Sequence, residues 1–305
     1  MPEAAEVAVA AAQLARVAVG RELRSLSVTH PRTTRNVAGG ALDDVAPRVV
    51  RSVHRHGKWL VVGLAGTDDA LGIHLRMSGQ LLARRPGDVH PDRHVHAVLD
   101  LGPRPTPFWP TDPPAGEGIC VPEPPPGAPG VGEEPVEVWF RDPRTFGELR
   151  VLPAGFVPVA VDVLDPSVTG ATLAASAGRR RVGVKAVLLD QLRGVSGVGS
   201  YLADEALHRA GISPVRPADT LAPSAWARAL HELRSLISES AAAGGVTLAD
   251  EGWVDLWGRP GRQGEALRVH ARETCASCGT STRSAVVGGR SARWCPRCQD
   301  ARRRR

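Results

Sequence analysis

The sequence predicts an α+β protein in which a leading helix and an antiparallel β-sandwich precede a helical domain and a C-terminal zinc ribbon. Three observations support this: an alanine-rich start, a long stretch of short apolar runs separated by turns, and four cysteines near the C-terminus. With 305 residues, of which 42% are hydrophobic, the chain can form two cores and a small appendage. We expect domains at 1–160, 161–268 and 269–305.

The sequence pattern changes three times within the first 160 residues. Residues 3–19 are rich in alanine and end at Gly20, which predicts a helix close to the start of the chain. Short apolar runs between turn residues then predict antiparallel strands up to about residue 101. Residues 103–135 are dominated by proline and glycine, so we expect an exposed insertion without a packed element. A pattern typical of a β-strand begins again at Val136.

The second part of the chain has helical patterns. Alanine, leucine and arginine recur over 183–193, 201–210 and 223–243, with glycine or proline breakers between them. From residue 267 onward the pattern predicts short strands around the cysteines.

Composition limits the function classes. The net charge is +6 and the pI about 9.6, which favours a polyanionic partner. No run of 18 apolar residues and no secretory signal is visible, so we expect a cytoplasmic protein without a membrane segment. The four arginines at 302–305 are most simply a solvated tail.

The strongest single motif is a pair of Cys-x2-Cys knuckles, and its four residues are Cys275, Cys278, Cys295 and Cys298. Four thiolates complete a tetrahedral zinc site, so we predict one structural Zn²⁺ with no open position for catalysis. The intervening 287–291 reads as a tight turn that presents Arg290, a residue suited to phosphate. Taken alone, such a ribbon also fits a ribosomal or transcription protein.

A glycine-rich turn, Gly197-Val198-Gly199, precedes the helix predicted at 201–210. Glycines there let backbone N–H groups approach a phosphate at the helix N-terminus. The pattern is weak alone, because many turns between helices contain glycine.

These pieces, in this order, resemble the formamidopyrimidine-DNA glycosylase / endonuclease VIII family. The matching stretches are Pro2-Glu3 with Glu6, Gly57-Lys58, 74–79, 142–147, 188–191, 197–199, 203–207, 210–214 and Cys298-Gln299. The matches run nearly from end to end, interrupted mainly by the proline-rich insertion.

The resemblance implies a clamp-shaped monomer that binds double-stranded DNA containing damaged bases or abasic sites. Its second domain would be a helix–two-turn–helix module. The implied activity is a base-excision-repair glycosylase with abasic-site lyase activity on oxidised purines, such as 8-oxoguanine and formamidopyrimidines. The protein would then be cytoplasmic and associated with the nucleoid.

By the same resemblance, Pro2 is the nucleophile and Glu3 the acid/base, once Met1 is removed. A free α-amine titrates near about 7.7–8.0, against about 10.4 for lysine, so more of it is nucleophilic at neutral pH. Read without the resemblance, Pro2-Glu3 is an ordinary helix start, with proline in the first turn and acids at the positive end of the dipole.

The remaining site residues also follow from the resemblance. Lys58 and Arg290 would be proton donors in β- and δ-elimination, and Glu6 and Glu205 would support the site. Residues at DNA-contacting positions are His94, Arg144, Arg180, Lys185 and Ser200. Met77, Arg144 and Phe146 match three residues that fill the gap left by an extruded base. Ordinary roles stay open: Lys58 as surface charge, His94 as a strand histidine, Arg144 as an ion-pair partner.

Several positions depart from the family pattern. Ala4 and Ala5 stand where leucine and proline are usual, and Ser200 replaces an asparagine. The segment 244–272, which matches the base-reading loop, has Glu251 where an aromatic residue is common and lacks a tyrosine near His270. Two alternatives therefore stay open: a glycosylase for oxidised pyrimidines, and a non-catalytic paralogue that binds damaged DNA.

Overall fold

The computed structural model describes residues 2–34, 42–88, 92–105, 118–155, 157–248 and 252–299. The chain forms two compact units, Met1–Val157 with Ser240–Gly264, and Pro158–Glu239 with Glu265–Arg305. The sequence-based domain boundaries remain a prediction, and 240–264 packs with the first unit although it lies within the predicted second domain. Met1, Glu251 and the arginine tail lie outside the described residues.

Eight antiparallel strands form the sheet of the first unit: β1 (Glu22–Val28), β2 (Arg48–His56), β3 (Trp59–Leu64), β4 (Ala70–His74), β5 (Gln80–Arg84), β6 (Val95–Leu101), β7 (Val136–Arg141) and β8 (Glu148–Leu152). Their order is β5-β7-β6-β1-β2-β3-β4-β8. The β1–β2 pairing consists of only two residue pairs, so two four-stranded halves are distinguishable. Side chains from both halves lie in one core, as a sandwich requires.

Helix α1 (Ala4–Ala18) is buried on almost every face. Its alanine, valine and leucine side chains cover most of the helix surface, and a helix of this composition is stable only inside a core. It packs against β2 and β3. Glu3 caps the N-terminus of the helix, and the helix ends at Ala18, two residues before Gly20, whose φ is 84°. The predicted leading helix and β-sandwich are thus confirmed.

The proline-rich insertion is exposed over much of its described length, but parts of it pack against the first unit. Within its stretch 118–135, both Val121 and Ala128 are buried, and a Cβ on Gly130 would lie 2.6 Å from Val17 of α1. The fully buried guanidinium of Arg21 donates to the carbonyls of Gly102 and Glu134 at 2.7 and 2.8 Å. Proline and glycine forbid regular elements, but they do not prevent carbonyls from packing around a buried cation.

The second unit contains α2 (Gly170–Ala177), α3 (Val184–Leu188), α4 (Ser200–Arg209) and a hairpin of β9 (Arg283–Val287) and β10 (Arg290–Trp294). Helix α5 (Pro223–Ala242) runs up to the Gly244 turn. The helix predicted at 183–193 ends early, because Asp190 accepts hydrogen bonds from the N–H groups of Leu192 and Arg193. Within the described part of the chain, no helix is long and apolar enough to cross a membrane.

Candidate functional site

The start of α1 is held by a reciprocal capping box. The carboxylate of Glu3 accepts from the backbone N–H of Glu6, and Glu6 Oε2 accepts from the N–H of Glu3 at 2.8 Å. Pro2 is buried, and Glu3 and Glu6 are only 2% and 1% exposed. Two buried carboxylates therefore lie within the first turn after the proline, each oriented by a backbone hydrogen bond.

Glu6 also connects α1 to residues that are remote in sequence. Its Oε1 accepts from the N–H of Val246 at 2.8 Å. Gly245 has a φ of 93°, and a Cβ there would lie 2.9 Å from Glu6 Cγ and 2.7 Å from Trp253 Nε1. Only glycine permits this close approach.

Lys58 lies in the two-residue turn between β2 and β3. His56 pairs with Trp59 across this turn, and Gly57 has the positive φ of 61° that such a turn requires. The Lys58 side chain is 8% exposed. Burial, followed by the positive charges of Arg76 and Lys58, lowers the pKa of His74 well below its usual value. His74 therefore stays neutral and adds no second positive charge next to Lys58.

Asp142 organises the loops that carry Met77, Arg144 and Phe146. Ser78 Oγ donates to its Oδ1 at 2.5 Å, and the N–H groups of Arg144 and Gly147 donate to its carboxylate at 3.3 and 2.6 Å. The Asp142 N–H donates to the carbonyl of His94 at 2.8 Å. Through its buried carboxylate and its backbone N–H, Asp142 thus links Arg144, His94 and the residues that follow Met77 and Phe146.

Met77 and Phe146 project from strained backbone. Each follows a non-glycine residue in the left-handed region, Arg76 with φ 54° and Thr145 with φ 56°. Met77 is 38% and Phe146 45% exposed, and Arg144 is exposed as well. Large apolar side chains held out of the core by strained turns suit insertion into a partner.

The turn before α4 rests on a buried lysine. Lys185 is fully buried, and its Nζ donates to Ser200 Oγ, Asp204 Oδ1 and the carbonyl of Ser291 at 2.8, 2.8 and 2.6 Å. All three ammonium protons are therefore used within the chain. Ser200 Oγ in turn donates to the Ser291 carbonyl at 3.1 Å, which links the turn to the base of β10.

Helix α4 also anchors the segment before the zinc ribbon. The carboxylate of Glu205 accepts from the N–H groups of Arg268, Val269 and His270 at 2.7, 2.8 and 2.7 Å. Asp204 Oδ2 contacts His270 Nδ1 at 2.9 Å. Arg180, by contrast, forms an ion pair with Asp190 at 3.0 Å, close to the end of α3.

The four cysteines meet as the spacing predicts. Their sulfur atoms all lie within 4.8 Å of one another, and the Cys278–Cys295 separation is 3.5 Å. A tetrahedral zinc with Zn–S bonds of about 2.3 Å needs sulfurs about 3.8 Å apart, so the donor set fits Zn²⁺. His208 Nε2 lies 3.3 Å from Cys275 Sγ, within reach of a supporting hydrogen bond. The protein carries one structural Zn²⁺ at this site.

The ribbon presents Arg290 as the sequence predicts. Gly288 and Gly289 have φ values of 58° and 73° and form the turn between β9 and β10. A Cβ on Gly288 would lie 3.0 Å from Ala186, so the hairpin tip packs closely on α3. Arg290 is exposed just after the turn.

Sequence reasoning did not single out Asp142 or Asp204. Both stood inside quoted motifs, but neither carried an assigned role. A signal existed for Asp142, because an aspartate two residues before an arginine in a turn commonly accepts backbone N–H groups. For Asp204 the local sequence offers no such signal, since its partners come from Lys185, His270 and Arg293.

Three family models match the chain. The formamidopyrimidine-DNA glycosylase N-terminal domain matches residues 1–113, the H2TH domain of the same enzyme matches 159–251, and a zinc finger found in FPG and IleRS matches 272–301. These three regions follow the order that the sequence motifs predict.

Curated relatives and solved structures agree with these matches. The formamidopyrimidine-DNA glycosylase of Salinispora arenicola is 35% identical over 318 residues, covering 100% of this chain and 98% of the relative. That of Kineococcus radiotolerans is 36% identical over 317 residues, covering 98% and 97%.

The MutM (Fpg) protein from Thermus thermophilus has a TM-score of 0.76 at 29% identity, with 98% of each chain covered. Lactococcus lactis Fpg, solved with abasic-site DNA, has a TM-score of 0.77 at 20% identity, with 98% of this chain and 100% of that chain covered; it supports the fold. On this evidence, the chain belongs to the formamidopyrimidine-DNA glycosylase family.

Proposed function

We propose that this protein removes oxidised purines from double-stranded DNA and then cleaves the abasic strand, using the secondary amine of Pro2 as nucleophile. The observation that carries the proposal is the buried start of α1, where Pro2 precedes the mutually capped Glu3 and Glu6. Membership of the glycosylase family supports the reaction class, base excision repair by a glycosylase with lyase activity.

The chemistry follows from the substituents on the Pro2 nitrogen. Attack on the deoxyribose C1′ forms a C–N bond while the base departs with its bonding electrons and takes up a proton. Because the nitrogen already has two carbon substituents, opening of the sugar ring leaves a cationic iminium. This cation withdraws electrons, so a C2′ proton is lost and the 3′ phosphate leaves. Removal of Met1 is a precondition.

Glu3 would supply and remove the proton on the ring oxygen of the sugar. Its position at the N-terminal end of α1 places it next to the nucleophile, and the hydrogen bond to the Glu6 N–H fixes its orientation. Lys58 would assist β-elimination and Arg290 δ-elimination, each as a proton donor that also neutralises phosphate.

The exposed side chains of Met77, Arg144 and Phe146 would open the duplex. A base inside the stack cannot be attacked, so the enzyme extrudes it and fills the gap. The thioether and the ring would occupy the vacated stack, and the guanidinium would pair with the orphaned base. Their connection through Asp142 supports a role as one unit.

DNA contacts are proposed for His94, Ser200 and Arg180. For Lys185, contact with a phosphate would require breaking one of its three internal hydrogen bonds, so we assign it the task of holding Ser200 and the glycine-rich turn. Cytoplasmic action at the nucleoid follows from the proposed substrate.

Borohydride trapping tests the proposal. Incubation with an abasic duplex and borohydride reduces the iminium to a stable covalent adduct. We expect an adduct with the wild type and none with a protein that keeps an N-terminal tag, because the tag removes the free α-amine. Pro2→Gly keeps a primary α-amine that can still form an imine, and it should trap less than the wild type. Arg24→Gln, which breaks an exposed ion pair with Asp100, serves as the matched control and should trap normally. Absence of an adduct from about pH 6 to about pH 9 would leave a non-catalytic DNA-binding protein as the better description.

Substrate preference needs a second comparison. Incision of duplexes with 8-oxoguanine, formamidopyrimidine and thymine glycol separates the two enzymatic alternatives. Faster single-turnover incision of the purine lesions supports the proposal. Faster incision of thymine glycol would assign the chain to oxidised pyrimidines instead.

A further inference from the structure

A segment near the C-terminal end of the first unit lies along α1. We call residues 244–248 and 252–259 the brace segment. Glu6 accepts from the N–H of Val246, and Gln13 Oε1 accepts from the N–H of Leu256 at 2.9 Å. Glu6 and Gln13 are seven residues apart, so they share one helix face and are separated by about 10 Å along the axis. The brace segment is thus attached to α1 at two points.

The second attachment depends on a buried carboxylate. Gln13 is fully buried and its Nε2 donates to Asp255 Oδ2 at 3.2 Å. Asp255 is 3% exposed, and its Oδ1 accepts from the N–H groups of Trp257 and Arg259 at 3.0 and 2.9 Å. A buried carboxylate is tolerated only when its oxygens are paired in this way.

Arg259 continues the network to the proline-rich insertion. Its Nε donates to Asp255 Oδ2 at 2.8 Å and its Nη1 to the carbonyl of Glu123 at 2.7 Å. The Glu123 carboxylate accepts from Arg16 Nη2 of α1 at 2.7 Å. The chain of contacts therefore starts at Gln13, passes through Asp255, Arg259 and Glu123, and returns to α1 three residues further on.

The insertion contributes a second contact to this closed network. Trp257 Nε1 donates to the carbonyl of Pro129 at 3.2 Å, and the Arg259 guanidinium lies 5.4 Å from the centroid of the Trp257 ring. The ion pair between Arg16 and Glu123 is exposed, so by itself it would contribute little to the stability of the network. The buried part of the network, at Gln13 and Asp255, carries most of its energy.

We propose that Asp255 and Arg259 are positioning residues, which hold the brace segment against α1 and thereby fix the turn that carries Glu3 and Glu6. This inference rests on the proposed function, because it assigns the network an effect on the step performed at the start of α1. A misplacement of about 1 Å far from the reacting atoms can slow a reaction up to about a hundredfold. The network acts on the rate of the chemical step and leaves DNA binding unchanged.

Single-turnover kinetics on the full-length zinc-loaded protein test this. With enzyme in excess and saturating, the rate constant reports the folded enzyme and is insensitive to an unfolded fraction. We expect Asp255→Asn to slow strand cleavage of an abasic duplex by about tenfold, with the Kd for the same duplex unchanged within about twofold. Arg259→Gln should slow it less, and Glu123→Gln least, because Arg259 donates to the Glu123 carbonyl rather than to its side chain.

Two comparisons make the result decisive. In the double variant Asp255→Asn/Arg259→Gln the effects should be less than additive, because both residues serve one network. Excision of 8-oxoguanine should slow by the same factor as abasic cleavage, since both use Pro2 and Glu3. Arg24→Gln is the matched control and should cleave at the wild-type rate.

Three outcomes would overturn the inference. A single-turnover rate and a Kd that are both unchanged in Asp255→Asn would show that the network only stabilises the fold. A weakened Kd with an unchanged rate would make it a DNA-binding feature, and slowing confined to 8-oxoguanine would make the brace segment a base contact. An inactive wild type is distinguishable from all three, because it refutes the proposed function instead.

Discussion

The two ends of the chain are fixed in place by different means. At the C-terminal end, a local Cys-x2-Cys pattern gathers four sulfurs, and α4 anchors the preceding segment through Glu205. At the N-terminal end, the position of α1 depends on hydrogen bonds that Glu6 and Gln13 form with residues about 240 positions away, Glu6 as the acceptor and Gln13 as the donor. The comparison teaches that a metal can replace a long-range polar network where a module is too small to form its own core.

Zinc removal should have the largest effect and should be confined to one end. We expect a chelator, or Cys275→Ser, to abolish hydrogen-exchange protection across 272–299, because zinc supplies about 10 kcal/mol or more of folding free energy to such modules. Protection of α1 should persist. Mass-spectrometric hydrogen exchange measures both regions in one experiment, and loss of protection in α1 would show that the two ends are not independently held.

Loss of the α4 anchor should be the next largest effect. Glu205→Ala leaves three backbone N–H groups without their carboxylate, and we expect the free energy of unfolding to fall by roughly 3–5 kcal/mol. Glu205→Gln keeps one carbonyl oxygen and should lose less. Urea denaturation measures the difference, and a loss below about 1 kcal/mol for Glu205→Ala would mean that zinc alone holds the ribbon.

At the other end, Gly245→Ala should destabilise the contact between α1 and the brace segment. The substitution meets a positive φ and places a Cβ within 3 Å of Glu6 and Trp253. We expect a loss of about 3 kcal/mol. Gly87→Ala is the matched control, since Gly87 has a φ of 86° with nothing within 4 Å of the added Cβ, and it should cost only about 1 kcal/mol. Equal losses for the two variants would contradict close packing at Gly245.

The smallest effect is a pH dependence centred on His74. Burial lowers the pKa of His74 well below its usual value, so between that lowered pKa and about pH 6.5 the unfolded chain binds up to one more proton than the folded one. Stability contributed by neutral His74 is present above that pH and is lost as the pH falls, by at most about 1.4 kcal/mol per pH unit. His74→Asn keeps an acceptor for the Arg76 N–H and should flatten the slope between about pH 6.5 and pH 5. An unchanged slope would assign the dependence to other groups.

The sequence by itself determined the fold class, the zinc ligands and the Arg290 turn, because each depends on local spacing or local backbone preference. The geometry of each Cys-x2-Cys knuckle, and that of the Gly-Gly turn, is determined by a few neighbouring residues. The leading helix was likewise visible from its alanine content, and its end from Gly20.

Only the tertiary structure decided which polar groups are buried and paired. Lysine is usually a surface residue, yet the ammonium group of Lys185 is enclosed by groups from α4 and β10. The insertion has the composition of an exposed loop, yet the carbonyls of its residues Gly130 and Glu134 accept hydrogen bonds from the buried Arg21. The partners of Asp142, Asp204 and Asp255 come from several segments of the folded chain. A local pattern does not encode such pairings, because burial of a charge depends on which remote segments the fold brings to it.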